Sequence, residues 1–546
     1  MSYTHTVRIT FILLLTLLFT HGEALAKTLT KPYKLNGTMS TPDGDVDAFA
    51  FSPNNQYVVY LADQDTDGQN ELYSVKLDGG TPVKLNDTLV TNGDVEEYFT
   101  ITSDSKQVIF MAEVNALDSS ELFSVPITGG STTKLNDTLV SGGSVHFFQL
   151  SADQTRVVYS ADQDTDTLVE LYSVSSTGGT VTKLNAPMPS GSRGSFLKPI
   201  YISPDSSRVV YVSDQDTADV FELYSVTIGG GTPSKLNTPL PTGGRVYDFT
   251  ITPDSARVIY HADQAIKSQR ELYSVPITGG VSTRLNGTLP TNSDVAQFKV
   301  TADSSRVIYL ADQIAYSVEE LFTVPAGGGS PTKLNSTPVS GGDVNYNFEI
   351  SQDSQYVVYA ADQDTNGVDE LYSAPIDGST AATKLNGTLV SGGDVTISFQ
   401  ITPDSKRVLY VADQDTDDVV ELYSVSIKGG SQTKLSGSLV TGGDVDPHFA
   451  ISPDSNFVAY IADKKTDFQL ELFLTPTNRL QEEQVNSTLP TGGIVYWSQF
   501  SPNGRYLVYY ASQDMEDQIE LYAVKFEDET CFPVPTKSGA MAVVCL

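Results

Sequence analysis

Of the 546 residues only two are cysteine, one is tryptophan and five are histidine. That scarcity excludes a disulfide-stapled scaffold and a Cys/His zinc site for the body of the chain. The histidines beyond residue 26, His146, His261 and His448, stand far apart and in no H-x-x-H pattern, so each reads as a strand or strand-end residue. Basic residues are scarce too, 33 against 67 acidic, for a net charge of −34. Such a surface repels nucleic acid and anionic lipid and attracts cations. Beyond the N-terminus no segment approaches about 18 consecutive apolar residues, so no transmembrane segment is expected in the mature chain. A G-x-S-x-G nucleophile elbow is also missing, which takes away a serine peptidase activity.

The start of the chain is the exception. Arg8 gives a weak basic flank, Ile9 to Phe19 is apolar, and Ala24-Leu25-Ala26 is an A-x-A cleavage pattern. Residues 1–26 therefore read as a secretory signal peptide, cut after Ala26. The mature protein is expected in the periplasm or outside the cell. No cysteine follows the leader closely, which argues against a lipid anchor. Cys531 and Cys545 both lie in the tail, residues 527–546, where an oxidising compartment favours a Cys531–Cys545 disulfide. A loop of that size adds about 3 kcal/mol in the chain-entropy picture.

What the chain does have is one sentence repeated ten times. ELY or ELF begins at Glu71, Glu121, Glu170, Glu222, Glu271, Glu320, Glu370, Glu421, Glu471 and Glu520. A companion KLN or its variant begins at Lys34, Lys84, Lys134, Lys183, Lys235, Arg284, Lys333, Lys384, Lys434 and Gln484. A period near fifty residues marks a repeat architecture. Each unit reads as four short strands, A to D, separated by an S-P-D turn, a polar loop and a Gly-Gly turn. Residues 27–526 are thus expected to form an all-β propeller of ten four-stranded repeats. Lys34 has no strand C before it and Glu520 has no KLN after it. The segment Lys31 to Asn36 is expected to complete the last blade, with Glu520 near Lys34, closing one ring; two smaller rings are the alternative. The N-x-T triplets at Asn36, Asn86, Asn136, Asn286, Asn335, Asn386 and Asn486 keep the repeat register and read as turn residues.

The string SPDSSRVVYVSDQDTADVFELYSV, Ser203 to Val226, resembles the TolB-like, WD-repeat-like β-propeller repeats of exported bacterial proteins. The resemblance covers the repeats and implies the fold and a habit of serving as a binding platform. TolB itself has six blades and an added N-terminal α/β domain, so no Tol-system role is carried over.

One constellation has metal-ligand spacing. The B–C loop of the first unit reads D-Q-D-T-D-G-Q-N-E from Asp63 to Glu71, similar to the calcium hairpin loops of integrin-type propellers. Calcium takes six to eight oxygen ligands from a flexible loop. The candidate ligands are Asp63, Asp65, Asp67 and Glu71; Asp162, Asp164, Asp166 and Glu170; Asp362, Asp364, Asn366 and Glu370; and Asp413, Asp415, Asp417 and Glu421. Position 9 is Glu in all ten copies and position 1 is acidic in all but Ser512, so those two follow the fold. Positions 3 and 5 vary and are expected to follow an ion, with Gly68 and Gly367 at position 6 favouring the first and seventh loops. The same loop also reads as a solvated acidic turn joining two strands.

Successive loops alternate ends in a propeller, so the D–A and B–C loops share one acidic face. The leading expectation is an exported, monomeric, non-enzymatic propeller that binds a protein, ligand or envelope component, with calcium as the candidate cofactor. A structural envelope or surface protein is one alternative. A hydrolase or lyase with its site in the central channel is another; the innermost strands, such as DAFAFS, DFTIT and VTISFQIT, read mostly apolar and count against it.

Overall fold

The computed structural model describes the chain except residues 1–26, 42, 193, 195–199, 529–530, 536–540 and 546, and describes no side chains from 528 onward. The leader falls outside the described residues. The larger of two compact units is Leu29–Phe526, and the described residues of the tail from Glu527 belong to the smaller one. In the smaller unit Cys531–Pro535 pairs antiparallel with Met541–Cys545, and the backbone register sets Cys531 opposite Cys545; the disulfide itself concerns side chains outside those described. No helix among the described residues is long and apolar enough to cross a membrane.

The larger unit is the ten-bladed propeller, with a four-stranded sheet in each of blades 1 to 9. Blade 1 has strand A at Val46–Phe51, B at Tyr57–Ala62, C at Glu71–Lys76 and D at Val83–Lys84. The β-branched and aromatic run YVVYLA suits a central strand, and it is buried over almost its whole length. Its two faces serve different neighbours. Val58, Tyr60 and Ala62 pack with Tyr506 and Val508 of blade 10, whereas Val59 and Leu61 pack with Val108 and Phe110 of blade 2. The pattern recurs to give ten apolar cores, each filled from two adjacent blades. No core belongs to one blade. With about 1.5–3 kcal/mol for each buried Val, Leu or Tyr, the stability resides in the interfaces between blades.

Ten cores for ten blades require a closed ring. Tyr33–Lys34 is the fourth strand of blade 10, with Tyr33 opposite Ala523 and Lys34 opposite Tyr522. Lys34 Nζ stands 2.6 Å from Glu520, and the Leu521 N–H donates to Asn36 Oδ1 at 2.8 Å. The Asn of every other N-x-T triplet makes the same kind of bond, as when Leu72 N–H meets Asn86. The expected single ring is therefore the one observed, and two smaller rings are set aside.

Two hydrogen-bonded belts tie the blades together. In the S-P-D-S turn of blade 4, Ser203 donates to Asp205 at 2.6 Å and the Ser207 N–H donates to the same carboxylate at 3.0 Å. Ser206 adopts a left-handed φ of 61°, which turns its hydroxyl toward blade 3 to accept the Asp153 N–H at 2.9 Å. On the opposite face Gln64 Oε1 accepts both the Tyr60 hydroxyl, at 2.8 Å, and the Gly37 N–H, at 2.7 Å, from the closing segment of blade 10. Blade 2 loses both partners at once, having Phe110 and Val114. Blade 9 has Lys464 in place of the glutamine, and Glu482 takes over the bonds to Tyr460 and the Gly437 N–H.

Lys34→Met is expected to lower stability by about 2–3 kcal/mol by stranding the buried Glu520 carboxylate. The exposed Lys106→Met, whose partner Asp104 is also solvated, is expected to change it by less than about 0.5 kcal/mol. Denaturant unfolding of the two variants reads the difference.

Candidate functional site

The acidic face is built outward from the strand C glutamate. Register sets Lys84 opposite Tyr73, so Glu71, two residues earlier on the same side, is the diagonal neighbour of Lys84. The Glu71 side chain is only 7% exposed and lies 2.5 Å from Lys84 Nζ. Tyr73 donates its hydroxyl to the other carboxylate oxygen at 2.9 Å, and burial together with Glu71 pushes that phenol far above its usual value. A buried carboxylate with a cation and a phenol has both oxygens satisfied, which makes it tolerable at this depth.

Asp65, at position 3, completes the group from the loop side, 2.8 Å from the same Lys84 Nζ. The Lys84 ammonium holds the Asp65 carboxyl below its usual value. Blade 3 repeats this with Lys183 at 2.8 Å from Asp164 and 2.6 Å from Glu170. Blades 7 and 8 follow with Lys384 between Asp364 and Glu370, and Lys434 between Asp415 and Glu421. In each of these loops the lysine bridges two of the candidate ligand positions, 3 and 9.

Position 1 faces the backbone. Asp63 accepts the Asp45 N–H at 2.5 Å and the Gly68 N–H at 3.0 Å. Asp162, Asp362 and Asp413 do the same in their blades. Position 6 needs a left-handed backbone, met by Gly68 and Gly367 but equally by Thr167 and Phe468. A glycine there is one of several residues that adopt this conformation. Position 5 lies over the preceding D–A loop: a Cβ on Gly142, Gly341 or Gly392 would run into Asp166, Asn366 or Asp417. Asp67 is exposed, 3.4 Å from the Thr41 hydroxyl. Among the described residues no group of three or more His, Cys, Asp or Glu is arranged to hold a metal ion.

The departures in single blades obey the same chemistry. Blade 9 has Gln484 where others have lysine, and Lys465 at position 3 reaches Gln484 and stands 3.4 Å from Glu471. Cation and partner have exchanged places, but Phe473 replaces the tyrosine and one oxygen of Glu471 is left buried without a hydrogen bond. Blade 2 has Phe123 in place of the tyrosine, and Asn115 at position 3 donates to Glu121 instead. Blade 6 has Phe322 and Ile314 together, and one oxygen of Glu320 is left buried without a hydrogen bond.

The second part of the face is the channel mouth. Strands A of adjacent blades approach one another and form the innermost layer. They are less uniformly apolar than their strings suggest. In blades 2, 7, 8 and 9 one extra residue separates the buried Val from the buried or half-buried Phe, as in Val344-Asn-Tyr-Asn-Phe348, and the register shifts there. Such bulges turn side chains away from the ladder. They expose Tyr98, Tyr346 and Ile397, and His448 likewise. The insertion is visible as V-x-x-x-F against V-x-x-F in the sequence, and it was masked by the variability of the intervening residues. Carboxylates ring the same mouth. Burial pushes Asp45 and Asp47 up. Burial with Asp312, Asp343 and Asp294 nearby pushes Glu319 up from 4.5 to about 7. The loop tips of the face also carry exposed apolar side chains in blades that have lost acidic ones: Leu117 in blade 2, Ile266 in blade 5, Ile314 and Tyr316 in blade 6 and Phe468 in blade 9.

No family model and no curated protein sequence matches the chain. Among solved structures it is similar to a prolyl endopeptidase, at 13% identity and a TM-score of 0.35 over 66% of this chain; it spans only 53% of that peptidase. It is similar to the oligogalacturonate lyase of Vibrio parahaemolyticus, at 14% identity and a TM-score of 0.36, over 64% of this chain and 98% of the lyase. A eukaryotic initiation factor gives 11% identity and a TM-score of 0.46 over 77% of this chain and 94% of that one. Likenesses this distant carry nothing about activity.

Phe322→Tyr is expected to raise stability by about 1 kcal/mol by giving the stranded Glu320 oxygen a donor. Chemical denaturation measures it. Glu319 binds its proton more tightly folded than unfolded, so between about pH 4.5 and 7 it makes stability fall as pH rises. Glu319→Gln is expected to flatten that slope and to gain about 1–2 kcal/mol at pH 8 once solvent screening is allowed for. Melting curves across the pH range would show it.

Proposed function

We propose that the chain is an exported, TolB-like propeller without catalytic activity, whose loop face and channel mouth bind a protein or other envelope component. The observation that carries this is where the repeat breaks its own rules. A ring needing only to hold together has its requirements met by the shared cores, the glutamate–lysine groups and the two belts, and those recur with substitutions that are compensated except at Glu320 and Glu471, each of which keeps one carboxylate oxygen buried without a partner. Exposed apolar side chains break the repeat on the loop face, at Phe468, 85% exposed, Tyr316 and Ile314, and in the bulges of the mouth; on the opposite face Val281 and Leu480 stand out singly at C–D turns. Exposed apolar side chains set in a polar, charged rim are the usual make-up of an interaction surface, and loops on a rigid scaffold are where such surfaces sit.

The carboxylates favour binding over catalysis in their present roles. Position 1 spends its oxygens on backbone N–H groups, and positions 3 and 9 share a lysine. The histidine–carboxylate pairs at the mouth, among the described residues, are His146 with Asp162 at 3.2 Å and His448 with Asp446 at 3.0 Å. Asp162 is already committed to the Ser144 N–H.

The test is comparative capture from native envelope extract, using the full chain and a Tyr316→Ser/Phe468→Ser variant of matched stability. One partner retained by the parent and reduced at least about fivefold by the variant is expected, since two surface anchors commonly contribute more than about 1 kcal/mol together. Self-assembly alone, equal in both, would favour the structural-protein alternative instead.

A further inference from the structure

We infer that the channel mouth along blades 7 to 10 seats a basic peptide segment of the partner, with its arginine or lysine side chains on the exposed aromatic rings and against the surrounding carboxylates. This rests on the binding-face proposal above and names the chemistry of the occupant.

The wall is continuous and held in place. Asn347 Nδ2 donates to the Ile397 carbonyl at 2.6 Å. Ser398 donates to the Pro447 carbonyl. The His448 and Trp497 rings follow at 5.6 Å between centroids. Three successive bulges and the first strand of blade 10 are thus locked to one another by side chain and ring contacts, and little ordering remains to be done on binding. A cavity of about 410 Å³ opens at its far end, between Gln400, His448, Trp497 and Gln499. Tyr346 is 61% exposed, Ile397 59% and Trp497 41%. Large rings left this open on a fixed strand are anchors in search of a surface.

Charge complementarity selects the occupant. Tyr346 stands within electrostatic reach of Glu319, Asp343 and Asp312, with Arg270 as the opposing charge. Asp446 lies beside His448 at the other end of the wall. The whole chain carries −34, so a polyanion is repelled here and a cationic segment is drawn in.

The molecule contains its own precedent two blades away. In blade 5 the Tyr247 ring carries the guanidinium of Arg245 at 4.6 Å and that of Arg270 at 5.9 Å. Arg270 in turn reaches Asp294 at 3.2 Å. Position 8 of the B–C loop, arginine in blade 5, is Glu319 in blade 6. The neighbouring tyrosine, Tyr346, has carboxylates around it, and no cation stacks on its ring among the described residues. A guanidinium or ammonium supplied from outside completes there the arrangement that blade 5 completes internally.

The test uses the full chain and three probes at about 0.15 M salt: a decapeptide alternating arginine and leucine, the same peptide with glutamate for arginine, and a neutral N-acetylglucosamine hexamer. Calorimetry gives affinity, and the emission of Trp497, the one tryptophan of the chain, reports occupancy of the wall. The arginine peptide is expected to bind and to shift the Trp497 emission. Tyr346→Leu should weaken it about fivefold or more, while Tyr346→Phe, which keeps the ring, stays within about twofold. Three results would overturn the inference: no binding of the arginine peptide, binding indifferent to Tyr346→Leu with Trp497 silent, or saturation of the Trp497 signal by the hexamer alone. In each case a partner captured through Tyr316 and Phe468 would leave the binding-face proposal standing.

Discussion

The ring depends on one constraint: strand B of each blade is buried on both faces, and the two faces belong to different cores. Val58 and Tyr60 look one way, Val59 and Leu61 the other. A blade taken alone would present both faces to water. Every blade therefore needs two neighbours, and the chain has no acceptable place to stop except against its own beginning. The closing strand at Tyr33–Lys34, the glutamate–lysine groups and the belts of Ser and Gln side chains are consequences of that demand. They sit at the blade edges, where backbone groups and a strand C carboxylate would otherwise be stranded.

This constraint also separates what can vary from what cannot. Most substitutions in the support system come in compensating sets, whereas Phe322 and Phe473 each leave one oxygen of the neighbouring glutamate buried without a partner. Lys465 and Gln484 exchange the cation between loop and strand, Glu482 with Lys464 replaces a glutamine, and Phe110 loses its hydroxyl together with the glutamine that would accept it. Substitutions at the loop tips and in the bulges have no such counterparts. The side chains of Ile314, Tyr316, Phe468, Tyr346 and Ile397 stand exposed instead. That contrast is the physical ground for placing recognition on the loop face and around the channel mouth.

Much of the fold was legible in the residues. Ten ELY and KLN pairs gave the blade count, and the two unpaired half-strands gave the closure, because strand pairing leaves a visible remainder when a ring is cut open in sequence. The pairing of Glu71 with Lys84 followed from turn length and period-two alternation. The site was legible only in part. Asp65 carries the same letter whether or not it pairs with Lys84; that pairing depends on how far strand D brings the ammonium under the loop, a distance no spacing records. Nor does the sequence show that Thr167 and Phe468 hold the same left-handed backbone as the position 6 glycines. The bulged wall was hidden for a different reason: one inserted residue in a variable stretch looks like noise until the register of strands A and B shows what it displaces.

The most direct test of interdependent blades is amide hydrogen exchange on the mature chain with residues 27–36 removed. That deletion takes away the closing strand and leaves every residue of blades 1 to 9 in place. If the cores are shared, protection falls on both sides of the seam, in strand C of blade 10 and equally in strand B of blade 1, where Val58 and Tyr60 lose their packing. Loss confined to blade 10, with blade 1 as protected as before, would contradict the account and give each blade a core of its own.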